Sequence, residues 1–304
     1  MDVQRLRVLR ELADRGSVTA VAQALRFTPS AISQQLKALA DEVGVPLTEP
    51  AGRGLRLTAA GNALVAEAEN VLAALARAEA AVAALRATPH GVVRMAMFPS
   101  GARMMLAGLL RRVAGTGIDL QVRDLDMTPP EVPVLAADHD LVVAHRDEHA
   151  DPLASVRHRV VPLVREPLDV VLPPGHPLGR HRRLRLEQLA GEPWISVNIG
   201  WPLDDVLRSL TTRTGTRPRV VQRINDFAVT EELVAAGVGV ALLPRWSTDD
   251  RGGRRFLRRP LAGVRAARLV EVVMRESVAE RPAVRAVVDA LHATIAETTG
   301  AGRP

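Results

Sequence analysis

The sequence predicts an α/β protein with an all-α-rich N-terminal domain. Three features carry that expectation. Before residue 60 the apolar residues recur at helical spacing, broken by one short two-stranded segment. Residues 61–88 form a single Ala-rich helical run, and from Val92 short apolar runs alternate with helical patterns. The expected domains are therefore 1–60, 61–88 and 91–304, the last split into a first subdomain of about 91–162 with 268–298 and a second of about 163–267.

Met1 to Gly16 is charged and periodic, which predicts a helix and not a signal peptide. Ser17 is placed to cap a second helix whose apolar face is Val18, Val21, Ala22 and Leu25. After Arg26-Phe27, Thr28 caps a third helix, with Pro29 in its first position, where a missing N–H costs nothing. Ile32, Leu36, Leu39 and Val43 give this helix a buried stripe, and Gly44 supplies a left-handed stop. Ser30, Ser33, Gln34 and Lys37 are left on its outer face. Hydroxyls and an amide can read base edges there, and Lys37 can meet phosphate. A polar outer face is ordinarily just solvated. Here the helix is the second of a pair, starts Thr-Pro-Ser and is followed by Leu47–Thr58, a short wing with Ala51-Gly52-Arg53-Gly54 at its tip. Arg53 and Arg56 then stand where a wing meets the phosphate backbone of double-stranded DNA.

Thr58-Ala-Ala-Gly61 opens the long helix. Leu64, Ala68, Val71, Leu75, Ala78, Val82 and Leu85 alternate at spacings of four and three, a heptad seam suited to a second copy of the chain. The alternative is a helix packed on its own domain. Thr88-Pro89-His90-Gly91 breaks the run.

Beyond it, Val92–Met97, Ile118–Asp124, Leu141–Ala144, Leu168–Leu172, Trp194–Val197, Arg219–Ile224, Val238–Leu242 and Arg268–Met274 are expected strands. Gly101–Val113, Leu203–Thr212, Phe227–Ala236 and Ala283–Glu297 are expected helices. The alternation predicts parallel α/β sheets in two subdomains, with crossovers near Arg159–Glu166 and Gly263–Arg268. Two basic runs, Arg180–Arg185 and Arg251–Arg268, read as solvated loops.

Composition narrows the function. Apolar residues make up 47% of the chain, enough for true cores, and the absence of cysteine excludes disulfides, thiolate metal sites and a cysteine nucleophile. The net charge is +6, but residues 1–60 hold eight basic and six acidic side chains, so DNA binding rests on placement of charge. No H-E-x-x-H, G-x-S-x-G or P-loop occurs, and no catalytic set, metal or cofactor is expected. Gly237-Val-Gly239 follows a helix and precedes a strand, which makes it a helix stop. His139 and His145 lack partners at metal spacing. The longest apolar run, Leu233–Pro244, is too short to span a bilayer.

Open α/β sheets bind ligands beyond the carboxyl ends of their strands. Four such ends can be read: Phe98-Pro99-Ser100-Gly101, with Ser100 as N-cap; His145-Arg146; Asn198-Ile199-Gly200-Trp201; and Asn225-Asp226-Phe227. A helix opening at Ser100 suits a carboxylate, and Arg146 would be its charge partner.

The order of helix pair, T-P-S-A-I-S-Q-Q-L, wing and R-L-T-A-A-G resembles the N-terminal domain of LysR-type transcriptional regulators, and the rest of the chain follows that family's plan. The resemblance implies DNA contacts at Thr28, Pro29, Ser30, Ser33, Gln34, Lys37, Arg53 and Arg56. Thr48 replaces a common buried aromatic and Pro50 a common arginine, which removes one phosphate ligand from the wing. It also implies a periplasmic-binding-protein-like effector domain, with a small-molecule effector held between the subdomains by Ser100, Arg146, Asn198, Asn225 and Phe227. Subunits would pair through Leu64, Val71, Leu75, Val82 and Leu85 into a dimer or tetramer that works in the cytoplasm with the transcription machinery. The absence of cysteine excludes the thiol switch that some members use. The competing expectation is a DNA-tethered enzyme that turns over a metabolite.

Overall fold

The computed structural model describes residues 1–52, 54–83, 88–152, 157–215 and 217–300. Three helices form the head: α1 (Val3–Arg15), α2 (Val18–Leu25) and α3 (Pro29–Val43). Each starts on a side-chain cap. Asp2 accepts from the Gln4 and Arg5 amides, Ser17 from Ala20, and Thr28 from Ala31. Gly16 and Gly44 end α1 and α3 with φ of 69° and 76°. Leu9, Val21, Ile32, Leu39 and Leu47 close the core between them.

The wing strands β1 (Thr48–Ala51) and β2 (Gly54–Leu57) pair antiparallel, Glu49 opposite Arg56. Helix α4 (Ala59–Ala83) follows at once, capped by the Thr58 hydroxyl accepting from the Gly61 amide at 3.0 Å. Gly61 is required there for lack of space: a Cβ would sit 2.1 Å from the Leu47 carbonyl oxygen.

The remaining chain builds one nine-stranded mixed sheet from β3 (Gly91–Met97), β4 (Ile118–Asp124), β5 (Leu141–Asp147), β6 (His158–Leu172), β7 (Pro193–Ser196), β8 (Arg219–Arg223), β9 (Val240–Pro244), β10 (Leu257–Pro260) and β11 (Ala267–Arg275). Its order is β4-β3-β5-β11-β6-β9-β7-β8, with β10 beside β6. Helices α5 (Pro99–Val113), α6 (Val132–Asp138), α7 (Pro202–Thr214), α8 (Phe227–Ala235), α9 (Glu276–Ala279) and α10 (Pro282–Thr299) cover its faces. The expected parallel pairing holds within each subdomain but not at the crossovers. β3, β4 and β5 run parallel, as do β7, β8 and β9, but β6 and β11 are antiparallel to their neighbours. These two strands are the crossovers. β6 pairs with β11 over its first half and with β9 and β10 over its second, so it belongs to both subdomains. Only Leu168–Leu172 read as strand in the sequence, because Pro162, Arg165, Glu166 and Pro167 interrupt the apolar pattern before it.

One apolar core lies under β3, β5 and β11 with α5 and α10, around Met97, Met105, Leu109, Val143, Val272 and Leu291. A second surrounds Trp194, Leu207, Val240 and Leu242.

The head docks on the α/β domain of its own chain through charge. Arg275, at the end of β11, donates to Glu11 at 2.8 Å and to Asp14 at 2.6 Å, both on α1. Arg15 reaches Asp138 at 2.7 Å, and Arg157 reaches Asp14 at 2.5 Å. On α4, Glu69 accepts from the amide and hydroxyl of Ser277. Burial works to raise the Glu11 carboxyl, but the cations Arg275, Arg10 and Arg15 outweigh it and hold it at about 2.

Candidate DNA interface and ligand cleft

Helix α3 presents Thr28, Pro29, Ser30, Ser33, Gln34 and Lys37 as exposed residues on one side of the head. Thr28 is partly committed, since its oxygen caps the helix and lies 3.1 Å from the Ser30 hydroxyl. Ser33 donates to the Pro29 carbonyl at 3.0 Å, which leaves its oxygen free to accept from a base. Gln34 is exposed on the same face, which fits a side chain open to a base edge. On the wing, Arg56 pairs with Glu49 at 2.8 Å although its side chain is 70% exposed. A phosphate must compete with that carboxylate. Arg53 lies outside the described residues. One feature escaped the sequence reading: Phe27, beside the start of α3, is 43% exposed, so an apolar ring stands open next to the polar residues in sequence. The signal was present in Arg26-Phe27, where Arg26 turns the chain at φ 58°.

Gln34→Ala should cost about 1–3 kcal/mol on the cognate site and flatten base preference. Mobility-shift titration against single-base variants of the operator checks this. An intact preference would remove Gln34 from base reading.

On α4, Val71, Leu75 and Val82 are exposed at 44%, 36% and 67%, an uncovered apolar row. Leu64 packs partly against the head's own core, where Val65 and Ala68 are buried. Leu85 lies outside the described residues.

Between the subdomains is a cavity of about 300 Å³, bordered by the ends of β3, β4, β5 and β8 and by the starts of α5, α7 and α8. Ser100, Asn225 and Phe227 line it. The Asn225 amide is a double tie. Its Oδ1 accepts from the Asn198 amide at 2.9 Å within the second subdomain, and its Nδ2 donates across the cleft to Asp126 at 3.1 Å. A second bridge runs from Arg103 on α5 to Glu231 on α8, at 2.9 and 3.3 Å. A third runs from Ser209 on α7 to Asp147 at the end of β5, at 2.5 Å.

Four expectations change. Ser100 is not the N-cap of α5; Phe98 holds that position, and Ser100 Oγ instead accepts from Arg268 at 2.9 Å. The amides of Gly101 and Ala102 both donate to the Phe98 carbonyl, so the α5 start offers an anion little. Arg146 is buried away from the cavity, where it makes two bonds to Glu271, at 3.2 and 3.0 Å. Asn198 touches the site only through Asn225, since it is absent from the cavity wall.

Arg268 is the residue the sequence reading passed over, because it closes a run of arginines taken for a solvated loop. It is 1% exposed, bound to the fully buried Glu166 at 2.6 Å, and its guanidinium lies 4.8 Å from the Phe98 ring centroid. Three more of that run are tied down as well: Arg255 to Glu231, Arg258 to Asp250 and Arg259 to the Gly179 carbonyl. Burial and the Arg268 charge push His145, on the cavity wall, well below its ordinary pKa, so its imidazole is neutral. Partial burial, with the negative charges of Glu131 and Asp226, raises the Asp126 carboxyl.

A family model described as LysR substrate binding domain matches residues 86–296, and one described as bacterial regulatory helix-turn-helix protein, lysR family, matches residues 3–62. The chain is 27% identical over 255 residues to the uncharacterized HTH-type transcriptional regulator YnfL of Escherichia coli, covering 80% of this chain and 82% of the relative. It is 25% identical over 253 residues to the HTH-type transcriptional activator CmpR of Synechocystis, covering 82% and 81%. A full-length OxyR variant of Pseudomonas aeruginosa matches in fold with a TM-score of 0.64 over 96% of this chain and 98% of that one, at 18% identity. Among the described residues, no helix is long and apolar enough to cross a membrane.

Proposed function

The chain belongs to the LysR family of DNA-binding transcriptional regulators, and from that premise we propose that a small molecule in the cleft changes how the DNA-reading heads are held. The supporting observation is strand β11. Its second residue is Arg268, which donates to Ser100 at the cleft, and its last residue is Arg275, which holds Glu11 and Asp14 of the head. One strand thus touches both sites. A ligand acts on such a device only through different affinities for its two arrangements, typically worth about 1–3 kcal/mol. Breaking the Asn225–Asp126 or Arg103–Glu231 bridge alters the spacing of the subdomains that β11 joins.

Ser33, Gln34 and the Ser30 end of α3 read bases in this proposal, whereas Lys37, Arg56 and Arg53 hold phosphate. Val71, Leu75 and Val82 face a second subunit. Its relatives are named as regulators and activators, so the chain is a regulator and the DNA-tethered enzyme is set aside. Reading DNA places its work in the cytoplasm, with the transcription machinery.

Ser100→Leu should abolish the ligand response and leave basal DNA binding intact, because the substitution lies in the cleft and not on the head. Operator footprinting with and without a ligand found by thermal-shift screening tests this. A ligand-dependent footprint unchanged in Ser100→Leu would place the effector elsewhere.

A further inference from the structure

We propose that the cleft takes a small organic cation, an amine or amidinium carried on an apolar body about the size of one ring. This rests on the reading of the cleft as the effector site and adds the ligand's chemical class.

The walls argue for it in two steps. Phe98, Trp201, Phe227 and Leu203 make much of the lining apolar and aromatic; the Phe98 ring is already taken by the Arg268 guanidinium, but the rings of Trp201 and Phe227 attract a cation through their quadrupoles. The polar remainder is acidic. Asp124, Asp126 and Asp226 all border the cavity, and none of the three forms an ion pair among the described residues. Among the described residues Asp126 accepts from the neutral Asn225 amide, and Asp226 from the backbone amides of Ala228 and Val229.

The arginines around the site are each already paired. Arg103 is held by both oxygens of Glu231, Arg268 by Glu166, and Arg146 by Glu271. An anion entering the cleft would meet three carboxylates and no free cation.

His145 is an independent pointer. It lines the cavity, its Nδ1 is buried, and that atom meets no hydrogen-bond partner among the described residues. A buried polar atom left unpaired is costly, which leaves that wall of the cleft short of a hydrogen-bond donor. With Nε2 protonated, the neutral ring offers Nδ1 as an acceptor. Carboxylates, an imidazole lone pair and aromatic faces then converge on one donor-rich, positively charged group.

Three probes of one skeleton separate charge from shape: 2-phenylethylamine, 2-phenylethanol and phenylacetate. Each is titrated at millimolar concentration against the full chain by thermal shift and calorimetry. The amine should raise the melting temperature most, the alcohol less, and the acid not at all. Asp126→Asn combined with Asp226→Asn should weaken the amine at least about tenfold while the alcohol is unchanged. Asparagine still caps α8 at position 226, so this variant folds. Ala228→Trp, which fills the cavity from an exposed position, should abolish binding of all probes.

Preference for phenylacetate, an amine affinity unmoved in the double variant, or no binding by any probe would overturn the cation. If phenylacetate binds best and Ala228→Trp abolishes it, the ligand class falls and the effector cleft stands. If the amine still binds Ala228→Trp unchanged, the cleft itself is not the site.

Discussion

Arg275→Ala is expected to release the head from the α/β domain and to cost on the order of 3 kcal/mol, the scale for removing one partner of a buried ion pair. The side chain is 8% exposed, and its two nitrogens meet two different carboxylates, Glu11 and Asp14, themselves 5% and 3% exposed. Removing the guanidinium leaves Glu11 with Arg10 and Arg15, and Asp14 with Arg157. Those survivors keep the loss near the lower end of the range. The variant should show faster proteolysis between head and α/β domain and a larger radius in solution scattering, with the sheet itself intact.

The same network sets an acid dependence. Glu11 is held at about 2 in the folded protein, below its ordinary value of 4.5. Its contribution is therefore fully present above about pH 4.5 and is lost as the pH falls toward 2. Docking of the wild type should weaken through that window. Arg275→Ala removes the strongest cation acting on Glu11 and should flatten the dependence. Equal proteolysis rates for wild type and variant across the pH series would show that these ion pairs do not hold the head.

The caps of α2 and α3, the exposed polar face of α3 and most strands were legible because each is written locally. Thr28-Pro29 starts α3, Gly44 stops it, and Ile118–Asp124 alternates along its whole length as β4. What escaped was set by partners distant in sequence. Arg146 and Arg268 are both arginines near strand ends, and nothing local separates them. Glu271 lies 125 residues beyond Arg146 and draws it into the sheet, and Glu166 lies 102 residues before Arg268 and fixes it beneath the cleft. The first half of β6 was hidden for a similar reason: its prolines and charges are tolerated because β11 supplies the pairing and Arg159 and Arg165 find Glu276 and Glu148 at the surface. Helix α6 is only seven residues long, too short for periodicity to show. In the cleft, the turns were named correctly as places, but the charge of the wall depends on which arginines are already paired, and only the folded chain tells that.

Leu75→Glu should turn the protein into a monomer that still folds. Leu75 lies between Val71 and Val82 on the uncovered row of α4, while the opposite side of that helix, Val65, Ala68 and Leu72, is buried within the chain. A carboxylate at a position 36% exposed in the single chain costs that chain little. In a paired seam the same carboxylate must lose its water with no cation opposite it, a penalty of several kcal/mol. One head covers one half-site, and joining two heads raises apparent affinity by about 10²–10⁴ through effective concentration alone. Operator affinity should fall by that order, while contact with a single half-site at low salt survives. Leu75→Met, which keeps volume and polarity, should retain both assembly and affinity. Sedimentation velocity and mobility shift on full and half operators provide the comparison. A Leu75→Glu protein that sediments with the wild type would mean that α4 does not form the pairing surface, and Val71 and Val82 would then need another explanation for their exposure.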